Sequence, residues 1–273
     1  MSESISIPSR FNGPLQSGNG GYSAGAIAPN VGGDVAEVSL RSPVPLDTEL
    51  AIDAAGDGSI RISDGETLVA EARSVDDLGV EPPQPVSLEA AREAAGRYRG
   101  QRGGQFSRCF VCGLDREDSL GVFAGEVVGR EMVASPWTPP EWAADGDGLV
   151  RPEIVWGVLD CPTYFAAYLR REELPVGFLV RQATRIDAPV KAGEEHVVVA
   201  WPLESDGRKS EAASAVLSAD GETLAIARAL LVEPAGTSPA SGSARAGRGG
   251  WPGRRPGPRS GRGSAPGSRG RGG

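Results

Sequence analysis

Apolar and polar residues alternate through four early stretches of the chain, near 34–41, 48–55, 58–63 and 67–75. A period of two predicts strands with one buried face. Asp57-Gly58 and Asp64-Gly65 stand between these stretches and are hairpin-turn dipeptides. The pattern returns late, predicting strands near 177–187, 194–203, 209–218 and 223–232, with turns at Asp206-Gly207 and Asp220-Gly221. Shorter strands are predicted near 121–125 and 130–135, before a loop carrying Trp137, Pro139, Pro140 and Trp142.

Three segments read as helices. Residues 20–28 lie between Asn19, a good N-cap, and Pro29, a stop. Their small side chains give weak intrinsic propensity, so close tertiary packing must hold them. Ser87 to Arg99 is rich in Ala, Glu and Arg and reads as an exposed linking helix capped by Ser87. Glu153 to Glu172 carries an apolar face of Ile154, Val155, Val158, Leu159, Phe165, Ala166 and Leu169. Pro162 falls inside that run and predicts a kink or two separate pieces.

The pentapeptide Asp-Gly-Glu-Thr-Leu occurs at 64–68 and again at 220–224. Upstream of each copy stands a strand ending in proline, Leu40 to Pro45 and Thr184 to Pro189. Pro45 to Pro189 is a shift of 144 and Asp64 to Asp220 a shift of 156, so the anchors agree to within a 12-residue insertion. One fold unit used twice explains this spacing. Each unit is a helix followed by an antiparallel meander whose apolar face the helix covers. The boundaries expected are 1–80 for the first unit, 81–105 for a linker with its helix, 106–233 for the second unit, and 234–273 for a tail.

Composition changes the reading at the tail. The chain has 28 basic and 36 acidic residues, yet from Pro234 onward there are eight arginines and no acid. Residues 1–233 therefore carry 20 basic and 36 acidic side chains, a net of −16. The tail offers little to bury, and disorder is expected over 234–273. The acidic body argues against a nucleic-acid-binding fold, which leaves RNA contact only to the tail. The tail lacks interleaved aromatics, which favours a solvating extension over an RNA-binding segment. No apolar run is long enough to cross a bilayer, and no signal peptide is recognisable. A cytoplasmic protein without membrane partners is expected, and a homodimer is compatible with the sequence.

Three stretches carry a family resemblance: Gly18-Asn19-Gly20-Gly21-Tyr22-Ser23-Ala24-Gly25, Leu40-Arg41-Ser42-Pro43-Val44-Pro45, and Asp206-Gly207-Arg208-Lys209 with the strand after it. They are similar to the Gly-Gly helix start, the strand ending in proline and the hairpin of acyl-CoA thioesterase II-like proteins. The resemblance covers residues 8–233. It implies an α+β fold of two tandem hotdog units, each a central helix wrapped by an antiparallel sheet. It also implies an acyl-CoA or related acyl thioester as substrate, with no cofactor. The fold alone does not fix the chemistry.

Thioester hydrolysis needs preorganised donors for the carbonyl oxygen and a group that deprotonates water. A helix N-terminus supplies free N–H groups and a positive dipole end. Asn19, Gly20 and Gly21 fit that role, although Gly-Gly also serves tight packing. Asp160 is the candidate base, a role the resemblance implies for a carboxylate near a helix start. The competing role is an N-cap for a helical piece beginning at Cys161-Pro162, which would lower its pKa and weaken it as a base. Glu153 has the same competing role. Tyr22, Thr163, Tyr164 and Arg208 are candidate substrate contacts, and Arg41, Arg185 and Lys209 candidate phosphate contacts or strand-edge charges. His196 is the sole histidine, which excludes a multi-histidine metal site. Beside two glutamates on a strand it reads as a solvated surface residue.

Cys109-Phe110-Val111-Cys112-Gly113 resembles half of a zinc knuckle. A closed tetrahedral site needs four ligands, and Cys161 and His196 could supply the rest only if the fold gathered them. The expectation is therefore thiols beside a glycine turn and no metal. Two other functions compete with hydrolysis: a noncatalytic acyl-CoA or lipid-binding module, and a hydratase or dehydratase of the same fold.

Overall fold

The computed structural model describes residues 4–235. Strands run over Ser4–Ile5 (β1), Ala36–Leu40 (β2), Leu50–Ala54 (β3), Ile60–Asp64 (β4), Thr67–Ser74 (β5), Gly125–Glu126 (β6), Val133–Trp137 (β7), Phe178–Ile186 (β8), His196–Asp206 (β9), Lys209–Ser218 (β10) and Thr223–Val232 (β11). Helices run over Gly20–Ile27 (α1), Leu88–Ala95 (α2) and Pro152–Ala167 (α3). The disorder expected for the tail concerns residues that, past 235, lie outside those described.

All eleven strands join one sheet in the order β1-β3-β4-β5-β2-β8-β11-β10-β9-β7-β6. Every neighbouring pair is antiparallel. The seam is β2 against β8, with Val38 opposite Gln182. Outward from that seam one half reads β2-β5-β4-β3-β1 and the other β8-β11-β10-β9-β7-β6. The two connectivities match strand for strand up to the extra β6. The repeated pentapeptide marks equivalent turns, β4 to β5 and β10 to β11. Both turns need a left-handed residue, supplied by Gly65 (φ 55°) and Gly221 (φ 88°).

Helices α1 and α3 pack against each other and run antiparallel. Gly21 lies over Trp156, Gly157 and Asp160, and Gly25, one turn on, lies over Glu153 and Trp156. A Cβ on Gly21 would sit 2.4 Å from Asp160 Cβ and 2.5 Å from the Trp156 carbonyl oxygen. These positions therefore require glycine, and the small-residue composition of the segment is explained by helix contact. Ala24 and Ile27 of α1 share one core with Ile154, Val155, Val158 and Leu159 of α3 and with Ile62, Val69 and Ala70 of the sheet. Burying each large aliphatic side chain there contributes roughly 1.5–3 kcal/mol.

Helix α3 differs from the sequence expectation in two ways. It runs through Pro162 as one helix and not two pieces, and it stops at Ala167, not at 172. Side-chain donors from its own turn and from the sheet brace the carbonyls around the proline. Thr163 Oγ1 donates to the Asp160 carbonyl (2.6 Å), Ser214 Oγ of β10 to that of Leu159 (2.7 Å), and Gln182 Nε2 of β8 to that of Trp156 (3.1 Å). Beyond the C-terminus, the Arg99 guanidinium donates to the carbonyls of Tyr168, Leu169, Arg171 and Glu172. A cation among those carbonyls satisfies groups that a longer helix would have used. No helix among the described residues is long and apolar enough to cross a membrane.

Candidate functional site

The start of α1 is held before any ligand arrives. Asn19 is extended (φ −62°, ψ 134°) and its Oδ1 accepts from the Tyr22 amide at 2.8 Å. The Asn19 amide donates to the Phe11 carbonyl, and the Gly18 amide to that of Val44. Among the first-turn amides, Ser23 bonds the Asn19 carbonyl and Gly21 bonds Asp160 Oδ2 at 2.9 Å. The Gly20 N–H has no hydrogen-bond partner among the described residues. One orphan donor of the helix end thus stays available.

Asp160 lies in the middle of α3 and not at a helix start. The capping role weighed for it is thereby corrected. It caps neither half of α3; instead it binds the N-terminus of α1 across the helix contact. Asp160 as a whole residue is 7% exposed. Burial pushes its pKa up to about 7, with the Cys109 sulfur acting in the same direction. The Gly21 amide and the Asn19 side chain pull the other way and do not overcome burial. The shift is therefore the reverse of the lowering that an N-cap produces.

Asn19, Gly20 and Asp160 line one cavity of about 490 Å³. Its apolar wall includes Leu40, Leu174, Phe178 and Leu179, and Arg41 also borders it. Tyr164 lines it too, with its hydroxyl donating to the Pro175 carbonyl at 2.5 Å. The other candidates lie elsewhere. Tyr22 is buried, stacked 4.0 Å from Phe11 and edge-on to Phe110. Thr163 is fully buried against its own helix. Arg208 donates to the Glu233 carbonyl at 2.6 Å, and neither it nor Gly21 is part of the cavity wall. Arg41 pairs with Glu71, Arg185 with Asp187, and Glu153 with Arg151. His196 is 2% exposed, against Trp137, with Nδ1 2.9 Å from the Glu194 carbonyl oxygen. Burial lowers its pKa, so the expected solvated histidine is corrected to a packed one.

Cys109, Cys112 and Cys161 all line the same cavity, and their sulfurs lie within 4.8 Å of one another. Asn19 Nδ2 faces two of them, at 3.9 Å from Cys109 Sγ and 3.7 Å from Cys161 Sγ. The sequence placed Cys161 beside Asp160 and the other two in a Cys-x-x-Cys turn. The spatial link between them follows only from the fold. Tyr98, which donates to the Cys112 carbonyl at 2.8 Å and borders the cavity, carried no sequence signal.

The fold so built is the hotdog fold. The chain resembles a conserved protein of unknown function with a hot dog fold from Alicyclobacillus acidocaldarius at TM-score 0.55 and 13% identity, covering 85% of this chain and 92% of that one. It resembles the tesB protein of Mycobacterium avium subspecies paratuberculosis at TM-score 0.50 and 13% identity, covering 78% and 82%. A pyran synthase domain of the sorangicin pathway matches at TM-score 0.51 and 15% identity, covering 86% and 92%. Identities this low establish the fold alone. No protein-family model and no curated sequence matches this chain.

Proposed function

We propose that this protein hydrolyses an acyl thioester, with acyl-CoA as the substrate class, in the cavity beside Asp160. The observation carrying the proposal is the Asp160–Gly21 hydrogen bond, which sets a buried carboxyl with a pKa near 7 against an open helix N-terminus. A group of that pKa is half ionised near neutral pH and suits a general base. Oδ2 is held by Gly21, leaving Oδ1 to take a proton from water. The thioester carbonyl oxygen lies at the Gly20 N–H, where the α1 dipole offsets the charge it develops. The acyl chain follows the wall of Leu40, Phe178 and Leu179, and Arg41 meets a CoA phosphate. The residues in play are thus Asp160 and Gly20, with Asn19 and Gly21 positioning them and Tyr164 shaping the cavity.

The two halves of the sheet are, in this reading, two tandem hotdog units with boundaries at 1–80 and 106–233, joined through 81–105. The matching strand order supports this, as do the equivalent Asp-Gly turns. The pairing gives one asymmetric site, since α1 offers glycines where α3 offers a carboxylate.

The test is release of free thiol from a panel of acyl-CoAs, with Asp160→Asn as control. Turnover abolished by the substitution is expected. Saturable binding without thiol release at any chain length defeats the proposal and leaves a binding module. A hydratase is the second reading, favoured by the protonated half of the Asp160 population, which can donate a proton to an unsaturated thioester. Loss of the enoyl absorbance without thiol release identifies that outcome.

A further inference from the structure

Three thiols meet at one point on the cavity wall. Cys109 and Cys112 come from the turn between α2 and β6, and Cys161 from α3, one residue beyond Asp160. Cys109 Sγ and Cys161 Sγ are 3.7 Å apart. A tetrahedral zinc ion about 2.3 Å from each sulfur sets sulfur–sulfur spacings of about 3.8 Å. The Cys109–Cys161 pair already has that spacing, and Cys112 Sγ lies within 4.8 Å of both.

The surroundings hold the cluster in place. The Asn19 side-chain amide faces Cys109 and Cys161. Gly113 keeps the turn tight, since a Cβ there would lie 2.6 Å from the Cys109 carbonyl oxygen. The Tyr98 hydroxyl fixes the Cys112 carbonyl. Among the described residues no fourth Cys, His, Asp or Glu joins the cluster, and His196 is not part of it.

We propose that Cys109, Cys112 and Cys161 form a three-thiolate zinc site whose fourth position, facing the cavity, takes water or a thiol-bearing ligand. Three thiolates select a thiophilic ion, and three protein ligands with an exchangeable fourth is the pattern of an open zinc site. The site does not depend on the hydrolytic reading. It places a metal centre next to Asp160, on the wall of the same cavity.

The test uses the full chain, produced without a polyhistidine tag, with zinc in the medium and no chelator. Metal analysis is expected to find one zinc per chain, lost to background in Cys112→Ser. Exchange of zinc for cobalt is expected to give tetrahedral d–d bands and thiolate-to-cobalt charge transfer. The cobalt spectrum is read on the wild-type chain, so it decides even if the variant does not fold. The proposal is overturned if wild-type protein keeps no zinc and gives no charge-transfer band. It is also overturned if all three thiols of the zinc-supplied native protein alkylate freely, or if protein purified without air carries a Cys109–Cys161 disulfide. None of these readouts requires a substrate, so failure of the metal site and failure of the hydrolytic reading are separate results.

Discussion

Asp160 Oδ2 accepts a 2.9 Å hydrogen bond from the Gly21 amide across 139 residues of chain. The bond joins the middle of one helix to the first turn of another. It fixes where the carboxylate points and which amide of α1 is left open. The hydrolytic proposal gives a first expectation. Asp160→Asn keeps the size and loses the base, and kcat/KM for a thioester falls by about 10²–10⁴-fold. In the wild type, kcat/KM rises about tenfold per pH unit below the carboxyl's pKa near 7 and levels above it. A flat profile between pH 5 and 8 assigns the base elsewhere.

Stability carries the opposite sign. Burial raises the folded-state pKa of Asp160 above that of an unfolded carboxyl, so this group favours folding while protonated. Its contribution is full below about pH 4 and is lost as pH rises through about 7. Asp160→Asn does not titrate. Its unfolding free energy relative to wild type should therefore increase from pH 4 to pH 8, by at most roughly 4 kcal/mol. Denaturant unfolding at several pH values reads this directly, and a pH-independent difference contradicts it.

The helix contact offers a test free of chemistry. Gly25→Ala puts a Cβ 2.6 Å from Trp156 Cβ and 2.8 Å from Glu153 Cα. Neither neighbour is a flexible chain end, so the helices must separate. A loss of about 1–3 kcal/mol is expected, seen as a Tm lower by several degrees. Helix propensity alone predicts a gain for the same substitution.

Arg99→Ala removes one guanidinium from four carbonyls beyond α3. A cost of about 1.5–3 kcal/mol follows from charged hydrogen bonds in a partly buried place. Hydrogen exchange should rise in residues 168–172 before it rises in the core of α3. Equal rates throughout would remove Arg99 as the reason the helix stops.

The sequence disclosed eight of the nine strands of five or more residues with small errors at their ends, because alternation and Asp-Gly turns are local signals. It also placed Asn19 as a cap, which the Tyr22 amide explains. It misjudged α3, since side chains bonded to its carbonyls and the guanidinium beyond its end come in part from β8, β10 and the segment after α2. His196 was misread for a similar reason. Two neighbouring glutamates are visible in the chain, whereas Trp137, which covers the ring, is a residue of β7. The cysteines were visible one by one. Their meeting depends on α3 crossing the Cys-x-x-Cys turn, a relationship no local pattern encodes.

The sheet that began as alternating residues ends, on both sides, in very little. The outermost described strands are Ser4–Ile5 and Gly125–Glu126, two residues each. Each covers only part of the strand behind it, β1 pairing Leu50 and Ala51 of β3 and β6 pairing Val133 and Ala134 of β7. Edge strands this short, with Pro136 on the uncovered part of β7, blunt the borders of an eleven-strand sheet against pairing with another chain.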